Sequence, residues 1–196
     1  MGQTGRRRIA VVTDSTADLP PELVERHAIH VEPQILIMGT KTWRDGVDID
    51  PPTFYELLQT SSDFPSTSQP SANSFEELFV ELSKDAEGIV AVLVSDELSG
   101  TLNSARAAAA NLPDIPIEII DTRAVSMMLG FHVLAAARAA DAGADMEAVA
   151  AAARELIGRT HVYFVVDTLE YLHRGGRIGG AARLFGSALN LKPLLE

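Results

Sequence analysis

The sequence contains no cysteine among its 196 residues. Disulfide bonds and thiolate metal sites are therefore excluded, and the composition suits a reducing compartment. Basic residues are also few, because 16 Lys and Arg stand against 27 Asp and Glu, giving a net charge of -11. An acidic surface repels nucleic acids and anionic membranes. We therefore expect no nucleic-acid partner.

Long apolar stretches are missing as well. The longest uncharged stretch in the apolar part runs from Ala124 to Ala137, too short to span a bilayer as a helix. Near the N-terminus, three arginines precede an apolar run of only Ile9 to Val12, too short for the core of a signal peptide. We expect a cytoplasmic protein without stable membrane insertion.

Common catalytic and metal-binding motifs are absent from the sequence. It has no P-loop, no HExxH zinc motif, no GxSxG hydrolase motif and no EF-hand loop. Asp45, Asp48 and Asp50 form an acidic cluster that does not match a calcium loop. A polar turn at Asp45 and a helix cap at Asp50 explain this cluster more simply. We expect no metal and no cofactor.

Short apolar strands alternate with helical segments along the chain. The strands are predicted at residues 9–13, 29–38, 89–94, 115–120 and 161–166. Such alternation indicates an α/β protein with a parallel sheet covered by helices on both faces. Further expectations are a loop over residues 61–74 and helix N-caps at Asp18, Asp50, Ser74 and Asp145.

Hydroxyl side chains cluster where the predicted strands end. Ser15 and Thr16 follow the first strand, and Ser99-Gly100-Thr101 follows the central one. Thr122 and Ser126 follow the next. The carboxyl ends of parallel strands share one edge, where ligands of open α/β sheets bind. With the N–H groups of a helix start, these hydroxyls suit a carboxylate, although simple N-capping explains each one taken singly.

Ordered motifs along nearly the whole chain resemble the DegV family. They are residues 13–20 (TDSTADLP), 44–49 (RDGVDI), 65–71 (PSTSQPS), 95–101 (SDELSGT), Asp121-Thr122 with Ser126, 169–179 (LEYLHRGGRIG) and Lys192-Pro193. The resemblance implies a three-layer parallel-sheet lobe at residues 7–160, followed at 161–196 by the truncated first part of a second α/β lobe. It also implies that a C-terminal histidine of the family, near the ligand head group, has no counterpart here.

The same resemblance implies a function. A long-chain fatty acid would lie buried between the lobes, and the protein would present its carboxylate to a separate ATP-dependent kinase. That kinase makes acyl phosphate for phospholipid synthesis, so this protein would be a binding subunit and not an enzyme. The carboxylate would be held by Thr67 and Ser99. Supporting positions would be Ser68, Gly100, Thr101 and Arg177.

The acyl chain would supply most of the affinity. Burial contributes roughly 0.8 kcal/mol per CH₂, so a long tail contributes on the order of 10 kcal/mol before ordering costs. Met127, Met128, Leu129 and Phe131 are candidate tail contacts, and ordinary core packing explains each of them equally well. The alternative function is an autonomous serine-type hydrolase of acyl esters that depends on Ser99.

Overall fold

The structure is a computed structural model that describes residues 9–184 together with Leu194 and Leu195. Arg6 to Arg8 and the Lys192-Pro193 motif lie outside the described residues. Internal contacts divide the chain into two compact units, residues 1–159 and residues 160–196. The predicted division into lobes at 7–160 and 161–196 stays a prediction.

The first unit contains seven strands and six helices within its described residues, with a short 3-10 helix at Ser15–Ala17. The strands are β1 (Ile9–Asp14), β2 (His30–Glu32), β3 (Ile35–Met38), β4 (Lys41–Arg44), β5 (Ser66–Ser68), β6 (Gly88–Leu93) and β7 (Ile117–Asp121). The helices are α1 (Pro21–Arg26), α2 (Pro51–Thr60), α3 (Ala72–Ser83), α4 (Thr101–Ala110), α5 (Ser126–Asp141) and α6 (Met146–Arg154).

Four strands form a parallel sheet in the order β2-β1-β6-β7. Alternate residues of β1 and β6 point to opposite faces, because side chains of a strand alternate. Val11 and Val92 belong to one core cluster with residues of α5 and α6. Val12 and Ala91 belong to another with residues of α3 and α4. The prediction of an α/β protein with a parallel sheet covered on both faces is confirmed.

The predicted strand at 29–38 is two strands that belong to different sheets. Pro33 and Gln34 separate β2, in the parallel sheet, from β3. Pro33 directly follows β2 and has no N–H to donate, so it cannot extend the ladder with β1. β3 pairs antiparallel with β4 and β5 to form a second, three-stranded sheet. Residues 66–68, predicted as loop, are therefore the strand β5.

Helix caps follow the prediction at two positions and depart from it at two. Asp50 and Asp145 cap α2 and α6 through their carboxylates, as predicted. Asp18 is not an N-cap: it is the C-cap of the 3-10 helix, with a φ of 50°, and Pro20 occupies the N-cap position of α1. Ser71, not Ser74, caps α3. Its hydroxyl accepts the N–H of Ser74 at 3.0 Å.

The acidic cluster at 45–50 serves the local structure. The guanidinium of Arg44 donates to Asp48 at 2.8 and 2.9 Å. These bonds, with the backbone N–H of Arg44, lower the pKa of Asp48 to about 2. Asp50 accepts the N–H of Thr53 at 3.0 Å. The contacts of Asp48 and Asp50 are those of a turn and a cap.

The second unit holds short elements. β8 (Phe164–Val165) pairs antiparallel with β9 (Leu194–Leu195), and α7 spans Glu170–Arg174. A 3-10 helix follows at Gly179–Leu184. The strand predicted at 161–166 is thus reduced to two residues. Across the described residues of both units, every helix is too short or too polar to traverse a bilayer.

Gly130 marks a tight approach of α5 to the 3-10 helix. A methyl group there would lie 2.9 Å from the carbonyl oxygen of Ala17, which is backbone and cannot move aside cheaply. We expect Gly130→Ala to lower the free energy of unfolding by about 1 kcal/mol. The clash, roughly 1–3 kcal/mol, outweighs the helix-propensity gain of up to about 1 kcal/mol.

Chemical denaturation measures this change. The control is Gly180→Ala, where an added methyl group meets no atom of the described residues within 4 Å. The control should leave the transition unchanged. Equal or greater stability of Gly130→Ala would contradict the expected clash.

Glu32, at the end of β2, is buried and accepts a hydrogen bond from the hydroxyl of Ser74. Burial raises its pKa, the Ser74 hydrogen bond partly opposes this, and the charge of Glu77 adds to the rise. The unfolded chain therefore loses this proton first as pH rises. We expect the stability contributed by protonated Glu32 to be full below about pH 4.5 and to be lost as pH rises through the folded pKa.

Glu32→Gln removes this titration and keeps an acceptor for Ser74. The free energy of unfolding of the variant, minus that of the wild type, should therefore increase with pH above about 4.5. Urea titrations at several pH values measure the difference. The control is Glu25→Gln, which removes one carboxylate at an exposed position and should not show this increase with pH. A difference independent of pH would refute the assignment.

Candidate functional site

The parallel sheet has a switch point between β1 and β6. The chain leaves β1 toward β2 on one side, whereas β6 continues to β7 on the other. A crevice forms outside the carboxyl ends of two such strands, and ligands of open α/β sheets bind in it. The residues that follow β1 and β6 therefore form the candidate site.

A buried carboxylate, Asp14, organises this edge. Its Oδ1 accepts the N–H of Thr16 at 3.0 Å, the hydroxyl of Thr16 at 2.6 Å and the amide Nε2 of Gln34 at 3.2 Å. Its Oδ2 accepts the N–H of Val94 at 2.9 Å. A buried carboxylate is costly unless donors surround it. Asp14 meets that requirement and thereby ties the ends of β1 and β6 to Gln34.

The hydroxyls of Ser99 and Thr101 stand at the start of α4. Oγ of Ser99 lies 2.8 Å from Oγ1 of Thr101 and accepts the N–H of Thr101 at 3.3 Å. Thr101 is fully buried, whereas Ser99 is half-buried. The amide of Gln34 donates to Oγ1 of Thr101 at 2.8 Å. A hydrogen-bonded chain thus runs from Asp14 to the hydroxyl of the half-buried Ser99.

The loop predicted to carry Thr67 reaches the same place. Thr67 is exposed on β5, opposite Leu36 of β3. The side-chain amide of Gln69 lies against Gly100, since a methyl group on Gly100 would be 2.8 Å from Nε2 of Gln69. The two segments therefore meet at the start of α4. Strand alternation directs Ser68 to the face opposite Thr67, where its hydroxyl donates to the carbonyl of Gln69 at 3.3 Å.

Other hydroxyls of the edge have structural partners. Thr122 is buried; its hydroxyl donates to the carbonyl of Leu93 at 2.8 Å and accepts the N–H of Ala124 at 3.2 Å. The end of β7 is acidic: burial raises the pKa of Asp121, and the charge of Asp96 raises it further. An anion is therefore better placed near Ser99 than near β7.

The candidate tail contacts fall into two groups on α5. Leu129 is fully buried in the core cluster, and Met128 packs against that cluster. Met127 is half-buried, and Phe131 is 52% exposed. Residues four apart in a helix share one face, so Met127 and Phe131 lie on the same face of α5, and neither belongs to the core clusters.

Arg177 belongs to the second unit. Its guanidinium donates to the carbonyl of Gly175 at 2.6 Å, and the backbone N–H of Arg177 donates to the carbonyl of Leu172 at 2.9 Å. Both contacts follow α7 and shape the glycine turn. Any role of Arg177 toward a ligand stays a prediction.

Comparison with known proteins identifies the family. The family model described as "Uncharacterised protein, DegV family" matches residues 8–196. The chain belongs to the DegV family. A DegV domain-containing protein of Streptomyces coelicolor is 42% identical over 191 residues, which are 97% of this chain and 67% of that protein.

Two solved DegV structures are close to the present one. A DegV family protein of Thermus thermophilus, described by its fatty acid binding, is 40% identical with a TM-score of 0.87. DegV of Bacillus subtilis, described as a fatty acid binding protein, is 35% identical with a TM-score of 0.88. Each comparison covers 96% of this chain and 67% of the other. The chain therefore spans about two thirds of the length of these DegV proteins.

Two residues of the candidate site, Gln34 and Gln69, are not predicted from the sequence. Gln34 lies inside the segment predicted as one continuous strand, so nothing marked it as a turn residue whose side chain reaches Thr101. Gln69 is a member of the PSTSQPS motif, but its contact with Gly100 depends on the pairing of β5 with β3. Pro33 is the local signal for a break next to Gln34, because proline cannot donate to a strand ladder; no local signal indicates the contact with Thr101.

The contact of Gln69 with Gly100 yields a prediction. Gly100→Ala places a methyl group against the end of a flexible, exposed side chain, so Gln69 should move at little cost. We expect the free energy of unfolding to fall by about 1 kcal/mol or less, which is the scale for replacing a glycine N-cap by alanine. The side-chain amide signals of Gln69 should shift in a ¹⁵N–¹H spectrum. Those of exposed Gln59 should not, and an unmoved Gln69 would contradict the contact.

Proposed function

We propose that this DegV chain binds a long-chain fatty acid and holds its carboxylate between Thr67 and Ser99. The observation that carries the proposal is the meeting of two segments at the start of α4. There, the amide of Gln69 contacts Gly100 beside the half-buried hydroxyl of Ser99. The fatty acid binding described for the proteins of Thermus thermophilus and Bacillus subtilis supports the same ligand class.

The chemistry of the segment favours a single carboxylate. Ser99 and Thr67 offer neutral hydroxyl donors, and the N–H groups at the start of α4 add a partial positive charge. A polyphosphate would favour lysine, arginine and a divalent cation nearby. Among the described residues, no group of three or more His, Asp or Glu side chains is arranged to hold a metal ion. A monoanionic head group matches these donors.

The acyl chain needs an apolar path away from the head group. We propose Met127 and Phe131 for it, because they share a face of α5 and neither belongs to the core clusters. Methionine adapts its shape to flexible ligands. Met128 and Leu129 pack in the core cluster, so we assign them to the protein interior. The tail then supplies most of the affinity, and the hydroxyls set its orientation.

The proposal includes a partner. A protein that holds a fatty acid by its carboxylate can present that group to an ATP-dependent kinase, which forms the acyl phosphate. In this scheme Arg177 supports the contact with the kinase, and the protein works in the cytoplasm. Ser68 supports the site indirectly, through its hydrogen bond to the carbonyl of Gln69. The chain alone should then neither hydrolyse ATP nor consume the fatty acid.

No observation favours the hydrolase alternative. A serine nucleophile needs a base within hydrogen-bonding distance. Among the described residues, the recorded partner of the Ser99 hydroxyl is Thr101, which is not a base. His132, buried on α5, contacts the carbonyl of Ala153 at 2.9 Å.

Fatty-acid titration tests the proposal. Hexadecanoate should displace a fluorescent fatty acid from the wild-type chain. Mass spectrometry should also detect long-chain acids in organic extracts of the purified protein. Thr67→Val and Ser99→Ala should each weaken binding about ten- to hundredfold, because a hydrogen bond to a charged group contributes roughly 1.5–3 kcal/mol.

The matched control is Ser66→Ala. Ser66 lies on β5 next to Thr67 but on the opposite face. This variant should bind hexadecanoate as the wild type does. If the wild type binds no long-chain acid, or if Ser66→Ala and Thr67→Val behave alike, the proposed site is wrong.

A further inference from the structure

Gln34 has an unusual environment for a residue outside the family motifs. It is buried, and both hydrogens of its side-chain amide are used. One goes to Oδ1 of Asp14 at 3.2 Å and the other to Oγ1 of Thr101 at 2.8 Å. The carboxylate can only accept, so the nitrogen of the amide must face it. Asp14 therefore fixes which end of the Gln34 amide meets Thr101.

The donation from Gln34 restricts the hydroxyl of Thr101. Oγ1 of Thr101 receives the amide hydrogen, so its own hydrogen needs an acceptor elsewhere. Thr101 is fully buried, and within the described part of the chain the recorded acceptor in reach is Oγ of Ser99, at 2.8 Å. The opposite arrangement would leave a buried hydroxyl hydrogen without a partner, which is costly. The hydroxyl of Thr101 thus donates to Ser99.

The consequence falls on Ser99. Its Oγ accepts two hydrogen bonds from Thr101, one from the hydroxyl and one from the N–H. Its own hydrogen is then not used within this chain of bonds, and Ser99 is half-buried at the open edge of the sheet. We infer that Gln34 is a positioning residue that sets the hydroxyl of Ser99 as a hydrogen-bond donor and so makes the site select carboxylates over neutral head groups. This inference rests on the proposed fatty-acid site.

Selectivity, more than affinity, reports this role. A carboxylate only accepts hydrogen bonds, whereas an alcohol can also donate to a misoriented serine. The test measures the dissociation constants of tetradecanoic acid and tetradecan-1-ol by displacement of a fluorescent fatty acid. For the wild type the acid should bind more tightly. Gln34→Met, which keeps the side-chain volume, should reduce the alcohol-to-acid ratio of dissociation constants roughly tenfold.

A double variant separates positioning from general damage. Ser99→Ala should reduce the ratio about as much as Gln34→Met, and the two changes together should reduce it no further. Asn111→Ala, on the exposed end of α4, is the control that should leave both constants unchanged.

Thr101 provides a second route to the same answer if Gln34→Met does not fold. Thr101→Val removes the hydroxyl but keeps the shape and the N–H, and it should lose the preference for the acid. Thr101→Ser keeps the hydroxyl and should therefore keep the preference for the acid.

The outcomes are distinguishable. Equal weakening of acid and alcohol by Gln34→Met or Thr101→Val, or additive effects with Ser99→Ala, would overturn the role of Gln34 while leaving the fatty-acid site intact. A wild type that binds neither compound would overturn the proposed function and this inference with it.

Discussion

The first unit depends on one buried carboxylate. Asp14 ends β1 in the interior of the protein, where an unsolvated charge is costly unless donors surround it. Four donors do so, from Thr16, Gln34 and Val94. Because Val94 follows β6, the same carboxylate holds together the two central strands at the switch point. The geometry of the open edge therefore follows from satisfying a single charge.

The edge that results is electrostatically uneven. Toward β7 it carries Asp121 and Asp96, and the pKa of Asp121 is raised by burial and by that neighbouring charge. Toward β1 it presents the half-buried hydroxyl of Ser99 and the start of α4. An anion would be repelled at one end and offered donors at the other. This contrast by itself limits where a fatty-acid head group can lie. No cationic residue of the first unit is needed to explain the limit.

The small antiparallel sheet gives this edge its second side. β3 leaves the parallel sheet at Pro33, and β5 pairs with β3 through the register of Leu36 with Thr67. That pairing carries Thr67 to the same region as Gly100, where Gln69 makes the contact. The motifs that resemble the DegV family are far apart in sequence, and this three-stranded sheet is what brings two of them together.

The sequence alone determined the features that depend on local chemistry. Apolar runs fixed β1 and β6, the carboxylates of Asp50 and Asp145 fixed two caps, and the ordered motifs identified the family, because each of these signals lies within a few residues. Tertiary structure decided what depends on distant partners: the break at Pro33, the pairing that turns residues 66–68 into a strand, and the reach of Gln34 to Thr101. No local pattern encodes such contacts, since the free energy that selects them comes from residues that the chain brings together only when it folds.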